Sequence, residues 1–394
     1  MKITAIKTFI VDGGFRPWTF VKVETSEPGL VGWGDCTDWG APGPVTATVT
    51  RFADFVVGRD PMQAEAIWWD LSAASARHSG GIASKAASGI DSALWDIRGK
   101  VLGAPVWQLL GGKLRDRLRL YWSHCGSTRA RWSEALGVPK VETTDDLRRL
   151  ADEVVERGYT AIKTNFINLK DRPDAIYTRE IYTHPAGDLP PALLRNAEAV
   201  VGTFRNALGP DVGIALDVAF EFKLGAAAKL ARALERYDMM WLETETLDPD
   251  ALRMIRDSTS TPICHGESLF GTQGYRPYLE LHAQDVIMPD LAWNGITMGK
   301  KIADYANTYD VLISPHNCHS PLTTLISAAV AATVPNFAIL ELDVDDAPWR
   351  DDLLTHPFEV ENGYLKLSDR PGLGSDLIEE ELRKRPAREY PGAR

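Results

Sequence analysis

A row of short apolar runs between Tyr159 and Glu341, each ending on a polar residue, most strongly limits how this chain can fold. From Asp217 onward, successive end residues are 26, 24, 23, 26 and 25 positions apart. A strand, a loop, a helix and a return loop occupy a similar length of chain, so the pattern predicts successive β/α units. The end residues, in chain order, are Lys163 and Asn165 (one run), Asp217, Glu243, Glu267, Asp290, His316 and Glu341.

The regular alternation of strands and helices predicts an α/β fold whose parallel strands close into a modified TIM (β/α) barrel. All strands of such a barrel point the same way, so their carboxyl-terminal ends surround one pocket. We therefore expect polar residues that are far apart in the sequence to face one another at this end of the barrel.

The charge and the apolar pattern disfavour several kinds of partner. A formal net charge of −11 argues against nucleic acid, because binding to phosphates needs a basic stripe. No apolar run approaches the roughly 20 residues that span a bilayer, and the strand-like N-terminus does not resemble a signal peptide. The four cysteines are scattered without a CxxC pair, which is typical of reduced thiols in a cytoplasmic protein.

The domain organisation follows from changes in periodicity along the chain. Residues 1–117 are predicted to form an α+β domain, with a strand meander over about 60 residues and helices from about 62 to 111. Gly103 is a plausible helix C-cap because Pro105 follows it. The barrel is assigned to residues 118–347. The Pro- and charge-rich tail, residues 348–394, contains a hairpin-like run and is expected to pack back on the N-terminal domain.

Asp217, Glu243 and Glu267 end three consecutive runs and are predicted to hold a metal ion. Three carboxylates at one barrel mouth would repel one another unless a cation lay among them. Oxygen ligands without an accompanying Cys/His set favour Mg²⁺ over Zn²⁺. The alternative is that each carboxylate only caps the helix that follows it.

Asp290 and His316 end neighbouring strands and are predicted to act as a pair. A carboxylate that accepts from one ring nitrogen fixes the tautomer and raises the pKa, which makes the other nitrogen a competent base. Alternatively, His316 is a loop histidine bonded to the backbone. Glu341 either bonds a developing oxyanion or a substrate hydroxyl, or it lies in a surface turn beside an acidic run. Lys163 either neutralises a carboxylate or is solvated.

Three irregular segments are expected to determine specificity, namely the WGDCTDWG loop, the RHSGG segment and the long insertion at 166–191. Such long connections after a strand are typical of lids or binding loops. Candidate substrate-binding residues in and around these segments and the strand ends are Trp39, His78, His124, His184, Trp293 and His319.

Taken together, these residues resemble the enolase superfamily, in particular the mandelate racemase-like branch that includes acid-sugar dehydratases. The resemblance covers nearly the whole chain. It rests on the ordered polar strand ends and on the motifs GLVGWGD, SGIDSALWDIRGKVLGAPVWQLLGG and RPGLG. It implies that the N-terminal α+β unit is a capping domain completed by the C-terminal tail, and that the protein is a homo-oligomer.

The resemblance also implies a chemistry: removal of the proton α to a carboxylate, with Mg²⁺ stabilising the enediolate. Asp217, Glu243 and Glu267 would then bind Mg²⁺. His316 with Asp290 would be the base, and Glu341 would bond the enediolate. Loss of the β-hydroxyl of an aldonate or aldarate would give a 2-keto-3-deoxy acid.

Departures from the family pattern shape the functional prediction. Many relatives have Lys-x-Lys on the second barrel strand, whereas this chain has Lys163-Thr164-Asn165, and an amide cannot act as the second base. Ala219 stands where galactonate dehydratase has its general acid, a histidine. Glu243-Thr244-Glu245 replaces Glu-Glu-Pro.

A Mg²⁺-dependent sugar-acid dehydratase, a lyase, is therefore favoured. The general acid stays open between His124, His184, His319 and His316 itself. The alternatives are an epimerase, racemase or cycloisomerase, which would need an acid/base group opposite His316, and a non-catalytic relative that binds a metal ion and an acid.

Overall fold

The computed structural model describes residues 1–78, 80–177 and 187–388. The N-terminal unit starts with an antiparallel sheet in the order β1-β2-β3, as the predicted meander requires. Its strands are β1 (Ile3–Asp12), β2 (Pro17–Thr25) and β3 (Val31–Asp35). Its helices are α1 (Pro42–Val56), α2 (Ala64–Ala74), α3 (Gly81–Leu102) and α4 (Val106–Leu109).

A closed parallel barrel follows, which confirms the predicted fold class. Its strands pair in sequence order, β11 returns to pair with β4, and a bridge from Ile313 to Phe337 joins β10 to the segment before β11. The strands are β4 (Arg117–Ser123), β5 (Ala161–Thr164), β6 (Gly213–Asp217), β7 (Trp241–Glu243), β8 (Ile263–His265), β9 (Val286–Ile287), β10 (Leu312–Ile313) and β11 (Leu340–Asp343).

Helices between the strands surround the barrel. They are α5 (Ser127–Leu136), α6 (Thr144–Glu156), α7 (Pro191–Leu208), α8 (Leu224–Leu234), α9 (Pro249–Asp257), α10 (Gly271–Glu280), α11 (Leu291–Asn307) and α12 (Pro321–Ala331). None of the helices in the described ranges is long and apolar enough to cross a membrane.

The C-terminal tail contacts both units. A hairpin of β12 (Val360–Glu361) and β13 (Tyr364–Lys366) pairs with the first residues of β4. Farther on, Gly372 accepts a hydrogen bond from the backbone of Val106 at 2.9 Å. A last helix, α13 (Glu379–Lys384), packs on β1. The predicted boundaries at 117 and 347 stay predictions, because β4 joins the barrel and the hairpin.

Helices α1 and α5 lie where the sequence analysis placed none. Because α1 begins at Pro42, the expectation that helices start near residue 62 was wrong. Helix α1 is rich in β-branched residues, which favour strands. It forms because Pro42 starts it and because its buried residues, such as Val45, Val49 and Phe52, pack on the rest of the unit. Helix α5 begins three residues after His124.

The contact between α3 and α11 fixes the N-terminal unit on the barrel. Asp91 accepts from the backbone N–H of Thr297 at 2.9 Å, and Trp95 donates its indole N–H to the Thr297 hydroxyl at 2.8 Å. Gly295 has a φ of 72°, and a Cβ there would lie 2.6 Å from an Asp91 carboxylate oxygen. This close approach requires glycine, and it holds the start of α11 against the capping helix.

Candidate active site

The polar strand ends come together at the carboxyl-terminal mouth of the barrel. Asp217 and Glu243 are the last residues of β6 and β7 and lie opposite each other in the strand register. Glu267 follows β8 by two residues, and His316 follows β10 by three. Glu341 lies inside β11, which continues to Asp343, so the predicted end of this strand was two residues early.

Asp290 and His316 form a buried pair. His316 donates from Nδ1 to Oδ2 of Asp290 at 2.7 Å, and the same oxygen lies 2.6 Å from Nε2 of His319. Burial would raise the pKa of Asp290, but the two imidazoles lower it to about 2. Asp290 is therefore an ionised acceptor that fixes the His316 ring, and Nε2 is the ring nitrogen left to act as a base.

The electrostatic surroundings of His316 favour its protonated form. Burial alone would lower the pKa of His316, but Cys318, Glu267 and Asp290 together hold it well above the ordinary value. Nε2 of His316 lies 3.1 Å from Sγ of Cys318 and 3.4 Å from Oε2 of Glu267. Nε2 must lose this proton before it can act as a base, and a cation held by Glu267 would favour that loss because it offsets one of these negative groups.

Lys163 lies in the barrel interior between two carboxylates. Its Nζ is 2.9 Å from Oε1 of Glu243 and 2.7 Å from Oε1 of Glu341, and all three side chains are almost fully buried. Burial would lower the pKa of Lys163, but the two carboxylates raise it well above its ordinary value. Lys163 is thus a fixed charge and not a solvated residue.

Glu341 is buried and fully bonded, so it does not lie in a surface turn. Its Oε1 accepts from the Ser123 hydroxyl at 2.5 Å, and its Oε2 accepts from the backbone N–H of Asn317 at 2.8 Å. Burial would raise the pKa of Glu341, but Lys163 and His316 lower it far below the ordinary value. Glu341 therefore stays ionised and acts as an acceptor.

The Asp217, Glu243 and Glu267 carboxylates fit a hard divalent cation. Burial raises the pKa of Glu267 to about 7, and burial together with Asp217 raises the pKa of Glu243 well above its ordinary value, although Lys163 works against this rise. Buried like charges of this kind are relieved by a cation, and a purely carboxylate donor set suits Mg²⁺.

These three carboxylates do not cap the helices that follow them, contrary to the alternative interpretation. Helices α8, α9 and α10 start after Lys223, Asp248 and Phe270. Asp217 instead accepts from the backbone N–H of Ala219 at 2.9 Å and from the side-chain amide of Asn165 at 3.0 Å.

Asn165 supports Asp217 in place of a second base. Its amide donates to the Asp217 carboxylate, and its carbonyl accepts from the Ser127 hydroxyl at 2.7 Å. An amide held by both of its polar atoms orients a neighbour but moves no proton.

Glu245, which the sequence analysis treated only as a departure, orders the loop of Glu267. Its Oε1 accepts from the backbone N–H groups of Gly266 at 2.5 Å and Glu267 at 3.3 Å. Because Glu245 follows β7 and Gly266 follows β8, this buried carboxylate fixes two neighbouring strand ends relative to each other.

Aromatic side chains from both units form one wall beside His316. The Trp293 ring centroid lies 5.8 Å from that of His316 and 5.5 Å from that of His319, and its indole N–H donates to the backbone of Thr37 at 2.8 Å. Trp39 meets His319 edge-on at 6.1 Å. The structure thus groups three predicted substrate-binding residues.

A second histidine–carboxylate pair lies at the junction of β4 and β11. Nδ1 of His124 is 2.8 Å from Oδ1 of Asp343, and the other oxygen of Asp343 accepts from Arg16 at 2.6 Å. His124 has a φ of 48°, a left-handed backbone that is uncommon for this residue type. The side chain of His78 and the whole of His184 lie outside the described residues.

Comparison with known proteins identifies the family. Residues 9–111 match the N-terminal domain of mandelate racemase / muconate lactonizing enzymes, and residues 146–381 match the enolase C-terminal domain-like family. The chain belongs to the mandelate racemase / muconate lactonizing enzyme family. This result confirms the resemblance drawn from the strand ends and motifs.

Named members of the family are similar over nearly their full length. D-xylonate dehydratase of Haloferax volcanii is 34% identical over 95% of this chain and 87% of its own. D-galactonate dehydratase of Variovorax paradoxus is 30% identical over 97% and 94%. A solved structure from Burkholderia xenovorans, provisionally named L-alanine-DL-glutamate epimerase and bound to magnesium and fumarate, is 36% identical with a TM-score of 0.93, over 100% of this chain and 98% of its own.

Within this family member, Arg16 and Cys318 were missed by the sequence analysis. Arg16 is in the turn between β1 and β2, is almost fully buried and stacks over Trp39 at 5.1 Å. Its partner Asp343 is 327 positions away, so no local pattern marks the pair. Cys318 carries a weak signal, since it lies two residues after the predicted base His316.

Proposed function

We propose that this family member is a Mg²⁺-dependent lyase that dehydrates a sugar acid, with an aldonate as its substrate. The observation that carries the proposal is a one-sided site. A buried His316–Asp290 pair supplies one base, while Asn165 occupies the usual position of the second base and is bonded to Asp217. The dehydratase names of the curated relatives support the same reaction class.

His316 takes the proton from the carbon α to the substrate carboxylate through Nε2, and Asp290 stabilises the imidazolium that results. Asp217, Glu243 and Glu267 would hold Mg²⁺, which supplies positive charge where the substrate carboxylate becomes more negative. Lys163 keeps Glu341 ionised, and Glu341 in turn accepts from the backbone N–H of Asn317 in the segment of His316, so both side chains position the site.

The β-hydroxyl leaves as water once it receives a proton, and the enol that remains tautomerises to a 2-keto-3-deoxy acid. Two groups in the structure can give this proton. His316 can return the one that it removed, which requires a syn elimination. His124 can donate instead, since Asp343 holds its ring by a hydrogen bond of 2.8 Å.

Arg16 and its neighbours favour a neutral far end of the substrate. Two nitrogens of the guanidinium group, Nε and Nη1, have no hydrogen-bond partner among the described residues, although they are buried. The third nitrogen lies 2.6 Å from Asp343 and 3.6 Å from Asp346. Arg16 is one positive charge beside the two negative charges of Asp343 and Asp346, so a second carboxylate on the substrate would add further negative charge. Substrate hydroxyl groups, in contrast, could donate to the carboxylates and accept from the guanidinium group.

Burial and charge set the ionisation of this pair of carboxylates. Burial would raise the pKa of Asp343, but His124 and Arg16 bring it below the ordinary value. Burial raises the pKa of Asp346 to about 6, with Arg16 opposing the rise. Both groups are mainly ionised at neutral pH, which supports an aldonate over an aldarate.

The test is a panel of aldonates and aldarates with Mg²⁺, assayed for 2-keto-3-deoxy products. We expect turnover of one or more aldonates and at least tenfold lower kcat/KM for the aldarate of the same stereochemistry. Arg16→Met should raise KM for the aldonate more than it lowers kcat. An aldarate that is turned over faster than every aldonate would overturn the substrate class.

An epimerase is the second candidate, because the Burkholderia xenovorans structure carries that provisional name. Epimerisation would show as exchange of the α-proton with solvent deuterium without loss of water. Exchange without a keto product would replace the dehydratase proposal. An absence of both exchange and product for all acids would favour a non-catalytic acid-binding protein. The homo-oligomer and the cytoplasmic location stay predictions.

A further inference from the structure

Three potential soft-metal ligands lie together on the segment that follows β10. Sγ of Cys318 is 3.1 Å from Nε2 of His316. This sulfur and one ring nitrogen each of His316 and His319 all lie within 4.8 Å of one another, and all three side chains are buried. Among residues 1–78, 80–177 and 187–388, no other set of three His, Cys, Asp or Glu side chains is as tightly grouped.

Asp290 prepares both histidines as ligands. Its Oδ2 lies 2.7 Å from Nδ1 of His316 and 2.6 Å from Nε2 of His319, so each imidazole donates one N–H to the same carboxylate oxygen. In the neutral rings the lone pairs then belong to Nε2 of His316 and Nδ1 of His319. A carboxylate behind the ring is the usual support of a metal-binding histidine.

His319 provides the independent sign of a ligand site. Its Nδ1 is buried and has no hydrogen-bond partner within the described part of the chain. The side chain is only 1% exposed, so water does not readily satisfy this atom. A buried acceptor without a partner is unfavourable, and a bound cation would remove that penalty.

We propose that His316, Cys318 and His319 form a binding site for a thiophilic divalent ion of the Zn²⁺ type. One thiolate and two imidazoles are the ligands that Zn²⁺ prefers, whereas Mg²⁺ takes oxygen ligands. The fourth position of a tetrahedral site would be left to solvent, because Glu267 is assigned to Mg²⁺. On binding, the Cys318 thiol releases its proton to solvent and the sulfur binds the ion as a thiolate.

The ion occupies Nε2 of His316, the atom that the proposed reaction uses as its base. Binding of this ion therefore inhibits turnover. The carboxylates of Asp217 and Glu243 are not ligands of this ion. The site itself does not depend on the dehydratase assignment, because binding needs no substrate. A failure of either proposal can thus be recognised without reference to the other.

The test is a titration of chelator-treated protein with Co²⁺, a spectroscopic substitute for Zn²⁺, in excess Mg²⁺. We expect a thiolate-to-Co²⁺ charge-transfer band in the near ultraviolet at one equivalent. Cys318→Ser should abolish the band. The matched control is Cys125→Ser, since Cys125 is also buried and belongs to a different segment. A missing band in the wild-type protein, or loss of the band only in the Cys125 variant, refutes the site.

A second variant and an activity measurement keep the test decisive if Cys318→Ser folds poorly. His319→Gln should weaken Zn²⁺ binding by at least tenfold in isothermal titration calorimetry, with the far-ultraviolet circular dichroism unchanged. Zn²⁺ should inhibit turnover in a way that a chelator reverses and that added Mg²⁺ does not. Two results together would refute the proposal: competitive relief of the inhibition by Mg²⁺, and a Zn²⁺ affinity of His319→Gln equal to that of the wild type. They would place the ion on the carboxylates.

Discussion

His316 and Asp290 are joined by a hydrogen bond of 2.7 Å, and the same aspartate caps helix α11 by accepting from the backbone N–H of Trp293 at 3.1 Å. One carboxylate therefore fixes the ring of the proposed base and the start of the helix that carries Trp293. The two roles can be separated, because asparagine caps helices about as well as aspartate but cannot stabilise an imidazolium.

We expect His316→Asn to abolish turnover and Asp290→Asn to lower kcat by about 10²–10⁴-fold, since both remove base catalysis. Circular dichroism and the thermal midpoint of both variants should stay close to those of the wild type. Steady-state kinetics on the best aldonate measures the effect. Near-normal turnover in either variant would remove the pair from the chemistry.

Lys163→Met should destabilise the fold strongly. It leaves the carboxylates of Glu243 and Glu341 buried without their cation, and breaking a buried pair in this way costs about 3–5 kcal/mol. Lys170→Met is the control, because Lys170 is exposed and its ion pair with Glu142 lies on the surface, where it contributes little to stability. The free energies of unfolding come from urea denaturation. Equal changes in the two variants would contradict the assigned role of Lys163.

Asn165→Ala should weaken Mg²⁺ binding. The Asn165 amide orients Asp217 at 3.0 Å, and loss of such a supporting group lowers metal affinity by about 10–100-fold. Asn168→Ala serves as the control, because Asn168 bonds the backbone of Tyr177 in the same connection and leaves Asp217 untouched. Isothermal titration with Mg²⁺ measures both. Unchanged affinity in the Asn165 variant would show that Asp217 needs no such support.

Asp91 should make stability depend on pH at the interface between α3 and α11. Burial raises the pKa of Asp91 to about 7, although hydrogen bonds from Thr297 oppose this rise. The unfolded chain ionises the same group near pH 3.9. Between the two values the folded state binds more protons, so this group lowers the free energy of unfolding as the pH rises, by at most about 1.4 kcal/mol per pH unit.

Asp91→Asn removes this titration. The free energy of unfolding of the wild type minus that of the variant should therefore fall between about pH 4 and about pH 7, and then become constant. Urea denaturation of both proteins across this range gives the difference. Curves that run parallel throughout would show that Asp91 is already ionised in the folded protein.

The barrel and its polar strand ends could be predicted because their signal is local and repeated. Each strand is a short apolar run, and the parallel arrangement alone brings residues such as Asp217 and His316 to one mouth. The distance between them in the sequence is irrelevant once the strand direction is known. The same argument left a surface turn open for Glu341 and made no prediction for Asp343, because the acidic run around them is typical of a surface turn.

The remaining parts of the site depend on contacts that no local pattern records. In the sequence, Arg16 is only a polar residue in a hairpin turn. Its role becomes visible in the structure, where the barrel fold brings Asp343 next to it. The three proposed ligands on the segment after β10 are oriented by Asp290, which follows β9 and is distant in the sequence. Helix α1 was missed since its β-branched residues favour a strand, and packing on the N-terminal unit overrides that preference.

The contact between Arg16 and Asp343 has a consequence for how this protein can change by recombination. The arginine is encoded near the start of the gene and the aspartate near its end. A chimera that combined the first third of this protein with the barrel of a relative would separate them and would bury one charge without the other. Exchange of the N-terminal unit alone would therefore need a matching residue at position 343 of the barrel that receives it.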